Sequence, residues 1–132
     1  KDMFEKSYEA LLLSIYDLGK MQEEFSVRFA VENLGSLDCC HFRFPDFVSI
    51  LRDADLAFCL DVGHANLNGV LGEFLDSKPE HVHLHDNHGV WDEHAAVGSG
   101  DIDFSNVLEL DATGIIECME YEAVLKSLEY LK

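Results

Sequence analysis

Basic side chains are scarce in this sequence: nine Lys and Arg stand against 26 Asp and Glu, for a formal net charge of −17. Such a field repels phosphate backbones unless the few cations cluster or metals neutralise carboxylates, which weighs against nucleic-acid binding. None of the four cysteines forms a C-x-x-C pair, so a zinc knuckle is not expected. Cys59 and Cys118 sit in apolar runs and read as buried thiols, while Cys39 and Cys40 read as loop residues open to oxidation. A structural disulfide is not expected in a reducing compartment. No apolar run approaches the roughly 18 residues of a bilayer span, and no charged-then-apolar signal segment opens the chain. A soluble, cytoplasmic protein with no membrane association is therefore the expectation. No low-complexity tract is present either, and 132 residues at 48% hydrophobic content predict a single folded domain over 1–132 with a real core.

Residues 3–22 place Phe4, Tyr8, Leu11, Leu12, Ile15, Leu18 and Met21 close to the three-and-four spacing of a half-buried helix. The β-branched and aromatic run 27–33 predicts a strand. A polar and aromatic loop containing Pro45 leads to a short helix over 47–52 and a second strand over 56–61, which continues through Val62-Gly63-His64 into a loop. A short helix over 70–75 is stopped before Pro79. A histidine-rich strand over 80–85 follows, then a long loop rich in Gly, Asp and His. A helical piece over 104–110, a fourth strand over 113–119 and a closing helix over 121–131 complete the chain, with Val124, Leu125, Leu128 and Leu131 on one helix face. Strands alternating with helices predict an α/β fold of βαβ units around a parallel sheet.

Five of the seven histidines lie between His81 and His94. Alternation along the strand sends His81, His83 and His85 one way and Val82 and Leu84 the other. Each predicted strand ends in a polar group: Glu32, Asp61, His83 and Glu117, at intervals of about one βα unit. In parallel sheets and barrels, functional groups gather at that end of the strands. Two residues earlier, on the same face, stand Ala30, Cys59, His81 and Ile115. Three carboxylates and an imidazole suit a divalent metal, Mn²⁺, Mg²⁺, Co²⁺ or Zn²⁺, with positions left for substrate. Singly, each carboxylate reads as a helix cap or a solvated loop residue; their coincidence on equivalent strand ends is what points to a metal. His81 reads as a packed or hydrogen-bonded layer residue, His88 as site-lining or exposed and His41 as an ordinary loop histidine.

The segments Phe29-Ala30-Val31-Glu32-Asn33, Cys59-Leu60-Asp61-Val62-Gly63-His64, His81-Val82-His83-Leu84-His85-Asp86-Asn87 and Trp91-Asp92-Glu93-His94, with Gly98-Ser99-Gly100-Asp101-Ile102-Asp103-Phe104, resemble the xylose-isomerase-like TIM-barrel superfamily. That group includes sugar isomerases and epimerases and AP endonucleases of the endonuclease IV type. The resemblance implies that Glu32, Asp61, His83 and Glu117 hold one divalent metal and that Glu32 and Glu117 form an acid/base pair, one on each face of the substrate. It implies that Asp61 and His83 anchor the metal and that His64 contacts substrate, or metal in the nuclease branch. Asp92 and His94 match a further nuclease metal pair that many sugar-enzyme relatives also keep. Asn33 and His85, beside these groups, are read as substrate-binding.

A full barrel of this kind has eight strands and about 250 residues. The sequence predicts four strands and no initiator methionine, so it reads as the C-terminal half of a barrel with an abbreviated last crossover. Two open sheet edges are then expected, to be covered by an N-terminal half, by a second copy in a homodimer or by loops. The function expected from the resemblance is a metal-dependent isomerase or epimerase of a sugar-like hydroxy-carbonyl compound, working by proton abstraction next to the carbonyl. Two alternatives stay open: an AP endonuclease of the endonuclease IV type, and a half barrel without catalysis.

Overall fold

Four short strands, β1 (Ala30–Glu32), β2 (Ala57–Asp61), β3 (His81–Leu84) and β4 (Thr113–Ile116), form one sheet in which every neighbouring pair is parallel and spatial order follows chain order. The computed structural model describes residues 2–35 and 41–132. Its helices are α1 (Asp2–Phe25), α2 (Phe47–Asp53), α3 (Val62–Leu67), α4 (Leu71–Leu75) and α5 (Tyr121–Tyr130). Consecutive parallel strands without a reversal of order are the arrangement of a (β/α) barrel segment, and the expected partial TIM barrel is what the chain forms. The expectation for Cys39 and Cys40 falls outside the described residues.

Strand alternation divides the sheet into two faces. Phe58 and Leu60 of β2 and Val82 and Leu84 of β3 turn toward the helices and are buried with Phe47, Val48 and Leu51 of α2 and Phe74 of α4. The Phe47, Phe58 and Phe74 rings meet at centroid separations of 5.3–6.0 Å, edge-on or stacked, which are favourable aromatic geometries. The opposite face carries Cys59, Asp61, His81 and His83, and its edge residues Ala30 and Ile115 are exposed. One side of the sheet is thus a dry apolar layer, and the other presents the polar groups.

Several elements differ from the sequence reading, each for a local reason. β1 is shorter than expected because Phe29 N donates to the Gln22 side chain at its start. At its far end the Asn33 amide takes over from the backbone: Oδ1 accepts from Asp61 N at 2.7 Å and Nδ2 donates to Asp61 O at 3.0 Å. The expected loop after Asp61 is helix α3, because the Asp61 carboxylate caps it by accepting from His64 N at 2.7 Å. The expected helix over 104–110 is a run of turns held by Leu108 N to Phe104 O and Leu110 N to Val107 O, although Phe104 and Val107 are still buried. On α5 the buried position is Ser127 rather than the leucine stripe: its Oγ accepts from Val97 N and donates to Ala123 O, while Leu125 and Leu128 stay about half exposed. β4 stops at Ile116, and Cys118, expected to be buried, is only half-buried, with its thiol donating to Ala95 O. Among the described residues no helix is long and apolar enough to cross a membrane.

Truncating Phe74, which is fully buried between two aromatic rings, removes the centre of this layer. Phe74→Ala is expected to cost about 3–5 kcal/mol in urea unfolding; a loss below about 1 kcal/mol would mean that the layer repacks and is not the keystone described.

Candidate metal centre

The sheet register brings the predicted residues together. Asp61 lies directly across from His83; Glu32 ends β1 opposite Cys59, and Glu117 follows β4, tied to the ladder by its N–H donating to Leu84 O at 2.9 Å. The two glutamates therefore flank an Asp–His pair from the outer strands. His83 Nδ1 stands 2.8 Å from Glu117 Oε2, 3.3 Å from Glu32 Oε2 and 3.8 Å from Asp61 Oδ2. None of these oxygens is aligned to accept a hydrogen bond from it, so the buried nitrogen has no partner despite its three neighbours. Lone pairs that converge without hydrogen-bond alignment suit a cation between them, and an oxygen-rich set with one imidazole fits a divalent metal. The ligand atoms of Asp61, His83 and Glu117 lie within 4.8 Å of one another, as do those of Glu32, Asp61 and His64.

A second cluster adjoins the first and is built from His64, His85, Asp92 and His94. Asp92 Oδ2 lies 3.2 Å from His64 Nε2 and 3.1 Å from His94 Nε2. His94 Nδ1 donates to Glu117 O at 2.8 Å, and His64 Nδ1 donates to Asn33 O at 3.0 Å while also standing 3.1 Å from Glu32 Oε1 of the first cluster. Backbone acceptors on Nδ1 fix the tautomer and leave Nε2 facing inward, as in ligating histidines.

The remaining sequence-predicted residues are placed differently. Asn33 and His85, read as substrate-binding, are fully buried, with the Asn33 amide committed to the Asp61 backbone and the His85 Nε2 to the Asp61 carboxylate. His81 bonds Thr113 Oγ1 at 2.7 Å, and His88 is exposed and pairs with Glu93 at 2.9 Å. Asp86 and Asn87 escape the sequence reading, yet both are fully buried and organise the loop that carries Asp92 and His94. The Asp86 carboxylate accepts from the N–H groups of Asn87, Gly98, Gly100 and Ile102. A Cβ at Gly100 would stand 2.4 Å from Asp86 Oδ1, so this glycine is required for the close approach. The Asn87 amide ties Gly63 O, Asn66 and Gly89 N together. An Asp-Asn pair at a strand end, answered by Gly-Ser-Gly downstream, was the available signal.

The concentration of carboxylates governs protonation. Burial pushes the Cys59 thiol up to about 12, helped by Glu32, Asp61 and Glu117. Burial works against charge on His64, but Glu32, Asp61, the Asn33 carbonyl and Asp92 outweigh it and raise its pKa to about 9. His85 is likewise raised: burial opposes its charge, and its contacts with Asp61 and Asp92 prevail. Burial acts to raise Asp61, but the His85 hydrogen bond and the charges of His85 and His64 hold it below the ordinary carboxylate value.

The sequence matches the family described as xylose isomerase-like TIM barrel over residues 2–131. An uncharacterized protein of Methanocaldococcus jannaschii, MJ1614, is 42% identical over 105 residues, covering 78% of this chain and 42% of that protein. MJ1311 of the same organism is 30% identical over 135 residues, 90% of this chain and 46% of that protein. Among solved structures, a D-tagatose 3-epimerase-like protein superposes with a TM-score of 0.81 at 27% identity, covering 91% of this chain and 51% of its own. The TTHB071 protein from Thermus thermophilus, soaked with ZnCl₂, gives a TM-score of 0.77 at 28% identity over 96% of this chain and 52% of its own. The chain thus spans about half the length of these proteins.

Because its pKa is raised to about 9 from the ordinary 6.5, His64 stabilises the metal-free fold fully below pH 6.5, and that contribution is lost as pH rises through 9. Thermal melts in chelator are therefore expected to fall over this window, while Mn²⁺ affinity climbs across it as the competing proton leaves. Melting points and Mn²⁺ affinities that are flat from pH 6.5 to 9 would contradict the assignment.

Proposed function

Since the chain belongs to the xylose isomerase-like TIM-barrel family, we propose that it serves as a divalent-metal-dependent isomerase or epimerase of a sugar-like hydroxy-carbonyl compound. The observation that carries this reading is the pair Glu32 and Glu117, approaching the Asp61–His83 pair from the two outer strands of the sheet. Glu32, Asp61, His83 and Glu117 would hold the metal. When bound, a divalent cation supplies polarisation of the substrate's carbonyl and hydroxyl oxygens.

The chain's own residues do the rest. A carboxylate on one side of the substrate, Glu32 or Glu117, takes the proton from the carbon next to the carbonyl, and the other returns one from the opposite side. His64 is fixed at Nδ1 by the Asn33 carbonyl and presents Nε2 beside Asp92, a position suited to orienting a substrate hydroxyl. The D-tagatose 3-epimerase-like neighbour supports a ketose as the substrate class. Among the described residues β1 and β4 each pair on one side only, and a second copy of the chain covering both edges would complete an eight-stranded wall around the site.

The His64, Asp92 and His94 cluster favours a second reading, metal-dependent phosphodiester hydrolysis at abasic DNA, against which the net charge of −17 weighs. Incubation with Mn²⁺ and ketoses in D₂O separates the two. The isomerase reading expects solvent deuterium at the carbon next to the carbonyl and a loss of about 10²–10⁴-fold in Glu117→Gln. Full activity in Glu117→Gln would exclude its acid/base role, and nicking of abasic DNA without sugar exchange would favour the nuclease.

A further inference from the structure

Of the histidines, His85 alone is fully buried, and a ring without exposure has no face to offer a substrate. Its position is specified from every side. The ring stacks on His94 at 4.0 Å and 14° and meets His64 edge-on at 5.8 Å. Gly63 provides the space: a Cβ there would stand 2.0 Å from His85 Cε1, so no other residue at 63 leaves the imidazole where it is. Nε2 lies 3.0 Å from Asp61 Oδ1 and 3.2 Å from Oδ2. On the far side of the ring, Nδ1 faces Asp92 Oδ1 at 3.8 Å, and both of these buried atoms lack a hydrogen-bond partner.

These contacts fix the orientation of the Asp61 carboxylate. Oδ1 accepts from His64 N at 2.7 Å, and His85 Nε2 spans both carboxylate oxygens at 3.0 and 3.2 Å, which fixes the rotation of the carboxylate plane. In this orientation Oδ2, held by His85 Nε2 at 3.2 Å, also faces His83 Nδ1 at 3.8 Å, on the side where Glu32 and Glu117 converge. We propose that His85 is a positioning residue: it aims Asp61 Oδ2 into the metal centre through Nε2 while its ring, stacked on His94 and facing Asp92, sets the spacing of the neighbouring cluster. This inference rests on the metal-centre reading above. It moves His85 from the substrate to the scaffold, and it makes one imidazole the link between the two ligand groups.

Side-chain lengths provide the test. A glutamine at 85 reaches with its amide nitrogen to where Nε2 stood, whereas an asparagine reaches only to the level of Nδ1, on the Asp92 side. Both substitutions remove the stacked ring, so the difference between them isolates the hydrogen bond to Asp61. Mn²⁺ affinity is measured on the purified chain from the electron paramagnetic resonance signal of the free ion, after circular dichroism establishes that both variants fold. His85→Gln is expected to bind Mn²⁺ close to as tightly as the unmodified chain, and His85→Asn to bind about 10–100-fold more weakly. Equal affinities in the two variants, with normal binding by the unmodified chain, would overturn the role of His85 and leave the metal centre standing. An unmodified chain that binds no Mn²⁺ would overturn the metal centre and this inference with it.

Discussion

A carboxylate with no exposure to water must be met by donors or by opposite charge, and Asp61 is such a carboxylate at the middle of the sheet. Three consequences follow from satisfying it. Its side chain accepts from His64 N and so starts α3 directly at the end of β2; its backbone is clasped by the Asn33 amide, which locks β1 to β2; and His85 is drawn under it from β3. Strand, helix and second cluster are therefore assembled around one buried charge. The energetic scale is large: breaking a buried charge network by removing one partner typically costs about 3–5 kcal/mol. An apolar residue at 61 would leave the strand intact and the site without its organiser.

The same residue explains the electrostatic character of the site. Glu32, Asp61, Asp92 and Glu117 crowd a small volume in a chain already at −17, and the His64 and His85 imidazoles near them hold protons to higher pH than in water. Cys59, in the same face, responds in the same sense, holding its proton to higher pH, and is kept a neutral thiol. Both shifts express one demand for positive charge at the carboxyl ends of the strands. A divalent cation meets that demand with one ion in place of several protons, and catalytic groups tuned by burial and a nearby cation are what acid/base work near neutral pH requires.

Much of this was legible in the sequence because it rests on period and position. The parallel sheet follows from four apolar runs separated by helical patterns, and the convergence of Glu32, Asp61, His83 and Glu117 follows from their equivalent places at strand ends. What could not be read is what depends on tertiary hydrogen bonding. Asp61 looks like a strand end in sequence, and only its capping bond to His64 N makes the next residues helical. Asp86 looks like another loop acid until four backbone N–H groups close on it. His85 shares strand parity with His83, which suggests a shared face toward substrate, yet the chain leaves the strand at Leu84 and carries the ring under Asp61. Periodicity holds only as far as the strand does.

Glu32, Asp61, His83 and Glu117 are proposed to form one metal site with a single imidazole among its ligands. Titrating the purified chain with Mn²⁺ at pH 8 and recording the electron spin echo modulation of the bound ion tests this directly. One tightly bound equivalent is expected, with a directly coordinated nitrogen that disappears in His83→Ala. Modulation without any directly coordinated nitrogen, or a nitrogen signal unchanged in His83→Ala, would contradict it.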